Sequence, residues 1–212
     1  MRYDHVIWDW NGTLLDDAAL VAEIMRDMLR RRALGPFDLQ RHRELFTHPV
    51  SDYYRDAGFD FDLEPFERLT VEFHELYLRR WRECSLTLDA ETVVSALSGR
   101  RVTQSILSAG QQQMIDEGAA HFGLTERMFA VLGLDDFHAE SKVDRGRSLV
   151  SRLPAPAERV LLVGDTGHDH EVATAIGVDV ALIERGHATR ERLEATGAPL
   201  FGSLRELLAW MT

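Results

Sequence analysis

Tyr3-Asp4-His5-Val6-Ile7-Trp8-Asp9-Trp10-Asn11-Gly12-Thr13 is the stretch that decides the fold. Its apolar residues follow one another without polar alternation, as in a strand buried on both faces of a parallel sheet. Asn11-Gly12-Thr13 then breaks the run as a turn. Further apolar runs lie downstream: 102–107, ending at Ser108-Ala109-Gly110; a shorter one at 129–132; 160–163, ending at Gly164-Asp165; and 178–183. Helical spacing fills the intervals at roughly 90–97, 111–122, 144–152, 169–176, 189–195 and 203–211. Strands alternating with helices across short loops predict an α/β fold, a Rossmann-like doubly wound parallel sheet.

Residues 16–85 break that rhythm. Leu20, Ile24 and Met28, then Leu69, Phe73, Leu76 and Trp81, fall at helix-like spacing, with turn-rich sequence around Gly35-Pro36 and His48-Pro49 between them. This predicts two parts: a core from 1–15 and 86–212, and a small helical insert over 16–85, placed directly after the first strand.

The composition narrows the class. The 212 residues carry 24 Lys and Arg against 35 Asp and Glu, so the formal charge is 24 − 35 = −11. That balance argues against a nucleic-acid surface. No apolar run approaches the roughly 18 residues that span a bilayer, and no basic-then-apolar leader opens the chain. A single cysteine, Cys84, excludes an intrachain disulfide and points to a reducing cytoplasm. It reads as a small buried hydrophobe, and Trp8, Trp81 and Trp210 read as packing residues. Oligomeric state leaves no mark in the sequence. Among the 24 basic residues only Lys142 is lysine, which suggests a task that arginine does not perform.

Ligands of an open parallel sheet sit at the carboxyl ends of its strands. There the sequence places Asp9 and Asn11, then Ser108, then Asp165 with Asp169 four residues on, and Lys142 in the 139–144 loop before a helix. Several carboxylates at one sheet edge repel one another unless neutralised. Hard oxygen donors with open positions for water suit Mg²⁺.

Asp9-Trp-Asn-Gly-Thr13, Ser108, Lys142 and Gly164-Asp-Thr-Gly-His-Asp169 resemble, in order, the four motifs of the haloacid dehalogenase superfamily. Gly186-His-Ala-Thr-Arg-Glu-Arg-Leu193 is similar to its phosphoglycolate-phosphatase-like branch. The insert sits where that family places a helical cap. The resemblance implies a Mg²⁺-dependent phosphatase acting on a small phosphorylated substrate. Asp9 would be the nucleophile forming an aspartyl-phosphate. Thr13, Ser108 and Ala109 would hold phosphoryl oxygens, and Lys142 would neutralise them. Asp9, the carbonyl of Asn11, Asp165 and Asp169 would serve the metal. Plainer readings stand beside these: a turn aspartate for Asp9, a turn serine for Ser108, a helix cap for Asp169. His168, His170 and His187 read as solvated loop histidines, and Arg30-Arg31-Arg32 as a solvated helix end. Arg55 and Tyr53 are insert residues that could reach substrate.

One position departs from the family. Its phosphatases usually carry a second aspartate two residues after the nucleophile, to protonate the leaving oxygen and then activate water. Here that residue is Asn11, an amide that exchanges no proton at neutral pH. Three accounts follow: a good leaving group, a substitute such as His42 or His48, or slow turnover of a long-lived aspartyl-phosphate. A dehalogenase fits Asn11, because halide needs no proton, but leaves Asp165 and Asp169 without a task. A catalytically weakened protein that binds a phosphorylated metabolite is the non-enzymatic alternative. A Schiff-base relative would need a lysine within 16–85, and none is there.

Overall fold

The computed structural model describes residues 1–134 and 142–212. Six parallel strands form one sheet in the order β5-β4-β1-β6-β7-β8. They are β1 (His5–Trp8), β4 (Thr103–Gln111), β5 (Ala130–Leu134), β6 (Val160–Gly164), β7 (Asp179–Ile183) and β8 (Leu200–Phe201). β1 is central: Ile7 registers with Ser105 of β4 on one side and Leu162 of β6 on the other. All four residues of β1 are buried, as the unbroken apolar run requires.

Helices cover both faces. Val6 and Trp8 point into a core shared with α5 (Ala90–Gly99), α6 (Gln112–His121) and α10 (Leu204–Met211). Ile7 points the other way, against α7 (Lys142–Val150) and α8 (Gly167–Ile176). A short α9 (Arg190–Glu194) follows β7. Trp8 is fully buried, and its indole N–H donates to Gln104 at 3.0 Å.

The insert leaves and re-enters through a two-stranded antiparallel ribbon, β2 (Leu15–Asp16) with β3 (Ser85–Leu86). Between them lie α1 (Ala18–Arg31), α2 (Leu39–Leu45), α3 (Val50–Ala57) and α4 (Phe66–Arg80). These helices bury a core of their own that includes Ile24, Met28, Tyr53, Leu69 and Trp81. Cys84 is half-buried and packs against both cores. Of the predicted solvated arginines, Arg30 and Arg31 are exposed, but Arg32 is not. Its guanidinium ties α1 to α4, meeting Glu64 and Glu72 at 2.6 Å each.

Candidate active site

The site grows from the carboxyl ends of β1, β4 and β6. Asp9 follows β1 and is held by its backbone N–H, which donates to the Val163 carbonyl at 2.8 Å. Gly12 turns the chain with φ +72°, and a Cβ there would lie 2.3 Å from the Asp165 carboxylate. Gly164 and Gly186 are equally closed: a Cβ would come within 2.2 Å of Asp169 and 2.0 Å of Asp165. The glycines of these loops are therefore set by close approach to the acids.

Asp9, Asp165 and Asp169 are buried, and each offers a carboxylate oxygen within 4.8 Å of the others. Lys142, 2% exposed, lies among them. Its ammonium donates to Asp9 Oδ1 at 2.7 Å and Asp169 Oδ1 at 2.5 Å. Residues 139–141 of the predicted lysine loop lie outside the described residues, and Lys142 itself opens α7. Asp169 Oδ2 accepts from the backbone N–H groups of Asp165 and Thr166 and from the Thr166 hydroxyl. The helix starts two residues earlier than the sequence suggested, at Gly167, so Thr166 is the N-cap of α8 and Asp169 closes a capping box. Thr13 Oγ1 donates to Asp165 Oδ1 at 2.9 Å, and the His187 N–H donates to its Oδ2 at 2.6 Å.

Burial, reinforced by its acidic neighbours against the opposing pull of Lys142, pushes Asp9 up to about 8. Burial likewise raises Asp165 to about 6, against the lowering pull of His187. A cation beside them would favour the anionic form of these carboxylates. The donor set fits Mg²⁺: oxygen only, acidic, buried and compact.

Ser108 and Ala109 lie within β4 where its register slips. Ser108 accepts from the Gly110 N–H at 3.0 Å, and both residues line a cleft of about 230 Å³ that also contains Asp9, Asn11, Lys142, Asp165 and Asp169. Thr13, by contrast, spends its hydroxyl on Asp165 and is fully buried. Arg55 does not reach the cleft. It is more than half exposed, pairs with Asp52 at 2.8 Å and lies over Phe61, because α3 turns that edge to solvent.

Asn11 is anchored through both hydrogens of its amide. Its amide donates to Asp17 Oδ2 at 2.6 Å and to the Tyr77 hydroxyl at 2.9 Å. Asp17 is fully buried and accepts four hydrogen bonds, the others from Tyr77 (2.7 Å), the Gly12 N–H (3.0 Å) and His187 Nε2 (3.2 Å). The reading of His187 as a solvated loop histidine is thus wrong: it is 3% exposed. Burial pushes its imidazole down, but the carboxylates of Asp17, Asp165 and Asp9 together outweigh that and hold it up at about 9. His187 Nδ1 meets His42 Nε2 at 2.8 Å, and His42 Nδ1 meets the Tyr53 hydroxyl at 2.7 Å. A buried chain of polar groups therefore joins the insert to the sheet. Nothing local in the sequence announces it.

His48 also faces the cleft, stacked on His168 with ring centroids 4.3 Å apart. Burial, with His168 and Lys142 nearby, pushes it down to about 3, so the ring is neutral. Its Nδ1 is buried without a partner. His170, half-buried on α8, does not line the cleft.

Residues 6–183 match the family model of the haloacid dehalogenase-like hydrolases. The chain belongs to that family. Among its haloacid dehalogenase-like relatives, tyrosine-protein kinase PtkA of Mycobacterium tuberculosis is 25% identical over 96% of this chain and 72% of its own length. N-acetylmuramic acid 6-phosphate phosphatase of Pseudomonas aeruginosa is 27% identical over 88% and 84% respectively. The crystal structure of a predicted phosphatase from Clostridium acetobutylicum superimposes with a TM-score of 0.83 over 100% of this chain and 99% of that one, at 18% identity. The haloacid dehalogenase-like fold thus spans sheet and insert alike.

Proposed function

We propose that this hydrolase is a Mg²⁺-dependent phosphatase acting on a small phosphorylated metabolite through an aspartyl-phosphate on Asp9. The observation that carries the reading is Lys142, the only lysine of the chain, buried with its ammonium on both Asp9 and Asp169. Such a cation beside a buried nucleophile suits a dianionic phosphoryl group. Phosphatases among the relatives support the same class.

Asp9, Asp165 and the Asn11 carbonyl would hold the metal. When bound, Mg²⁺ offsets phosphoryl charge and keeps the phosphorus in line with the nucleophile. Asp169, with both oxygens already satisfied by protein donors, acts as a positioning residue for Lys142. A free carboxylate oxygen of Asp9 attacks phosphorus, and the bond to the leaving oxygen breaks with its electron pair. Ser108 and the backbone at Ala109 steady the transferred oxygens, and Thr13 orients Asp165. Water then attacks the aspartyl-phosphate, releasing phosphate and restoring Asp9. We assign to the His48 ring, which lines the cleft, the orientation of the attacking water in this second step. Its rival His42 has both ring nitrogens engaged, whereas His48 keeps one free. The insert over 16–85 is a helical cap that shields the cleft from water. Cys84, the only cysteine, fits cytoplasmic residence.

Phosphate release from acetyl phosphate, with and without Mg²⁺, tests the reading. Release that requires Mg²⁺ and falls to background in Asp9→Asn is the expected result. Halide release from a haloacid without metal would favour a dehalogenase instead. Ligand binding without turnover would favour a binding protein.

A further inference from the structure

The residues around Asn11 restrict what can leave the phosphorus. Asn11 has already given both amide hydrogens, to Asp17 and Tyr77, so only its oxygen remains and it cannot donate to a leaving group. Tyr77 has given its proton to Asp17, and both ring nitrogens of His187 are engaged. His48 lines the cleft, but burial keeps its ring neutral, and a neutral imidazole is a far weaker acid than an imidazolium. Departure of the leaving oxygen therefore proceeds without proton donation from these groups.

The wall beyond Asn11 carries a second restriction. Phe66, Thr70, Phe73 and Tyr77 follow one face of α4 at i, i+4, i+7 and i+11, and all four line the cleft. Tyr77 touches Asn11, so Phe73 stands about one turn, ~6 Å, further out and Phe66 about 16 Å out. Phe46 and Met114, both half-buried, line the same cleft. Lys142 is the only lysine or arginine among the described lining residues, and it is committed to the carboxylates. A second anionic group on the substrate would find no lysine or arginine along this wall. A sugar lying along Phe66 and Phe73 would leave part of its hydroxyl surface against phenyl rings.

We propose that the substrate of this site is an aryl phosphate, with the ring lying along Phe73 of α4; this rests on the phosphatase reading above. A phenol ionises near pH 10, roughly six units below water-like alcohols, so phenolate departs where an alkoxide would need an acid. In the first step the Asp9 carboxylate forms a bond to phosphorus, and the phosphorus–oxygen bond to the ring breaks. The electron pair leaves on the phenolate, which takes its proton from solvent. In the second, water attacks phosphorus and loses one proton to solvent, and the bond between the Asp9 carboxylate oxygen and phosphorus breaks to release inorganic phosphate.

The test compares kcat/KM of the full chain with Mg²⁺ on phenyl phosphate, benzyl phosphate, glucose 6-phosphate and acetyl phosphate. Phenyl over benzyl by about 10²-fold or more is expected, since both carry a ring and only one leaves without an acid. Phenyl should exceed glucose 6-phosphate by more still. Phe73→Leu, which keeps bulk and folding but removes the ring, should raise KM for phenyl phosphate about three- to tenfold with little change in kcat. Benzyl or glucose 6-phosphate turned over as well as phenyl phosphate would overturn the inference while leaving the phosphatase standing. So would an unchanged KM in Phe73→Leu. No Asp9-dependent release from acetyl phosphate would defeat the phosphatase reading itself, and the inference with it.

Discussion

Asn11 and Asp17 share one hydrogen bond whose loss has a calculable sign. Replacing the amide by a carboxylate in Asn11→Asp would set a half-buried carboxylate against the fully buried one of Asp17, at the 2.6 Å now spanned by that bond. We expect the variant to lose about 3–5 kcal/mol at pH 7, and less in acid, where one carboxyl is protonated. The exchange Asn11→Asp with Asp17→Asn should restore most of it, measurable as coupling in a double-mutant cycle by urea unfolding. His187 yields a pH prediction. Its folded pKa, about 9, lies above the ordinary histidine value, so protonation favours folding. That contribution is complete below about pH 6.5 and is lost as pH rises through about 9, up to roughly 3 kcal/mol in all. In metal-free buffer the Tm of wild type should fall across this window, and that of His187→Gln should fall less. For His48, which orients water in the second step only, His48→Leu should keep the initial burst of leaving group. Its steady-state rate should drop by about 10²-fold, which stopped-flow and steady-state assays separate.

At the level of elements, the insert behaves as a unit with its own interior. Leu69 of α4 is fully buried among insert residues. Leu69→Ala should cost about 2–5 kcal/mol. Amide exchange should quicken over α1 to α4 while β1, β4 and β6 stay protected, because cooperative units open separately. The insert and the five longer strands were legible because continuous apolar runs and 3.6-residue spacing are local signals. β8 and the β2–β3 ribbon were not, being two residues per strand with no period to read. The acids at the strand ends were legible for the same reason as the strands that carry them. The Asp17–His187–His42 chain was not, since its partners stand 170 and 145 positions apart and look like ordinary loop and helix residues. Arg55 illustrates the converse: a cation on the insert invites a substrate role, yet its helix face points to solvent.

Across the whole molecule, three buried acids and one buried lysine leave the metal-free site with surplus negative charge. A cation that binds only the folded chain stabilises it by mass action, about 2.7 kcal/mol at a hundredfold excess over its Kd. Mg²⁺ should therefore raise Tm, and Asp165→Asn should abolish the rise. No helix among the described residues is long and apolar enough to cross a membrane.

The position of β1 has a consequence for how the chain is made. Of the six sheet strands β1 is synthesised first, yet it lies inside the finished sheet, and its two neighbours begin only at Thr103 and Val160. The insert, by contrast, draws the buried apolar residues of its core from 20–81 alone. During synthesis the helices can pack while β1 waits with both edges open, an arrangement that invites mispairing. A nascent chain stalled near residue 134 should therefore resist protease over the insert and be cut within 1–15, and protection there should arrive only once β6 has emerged.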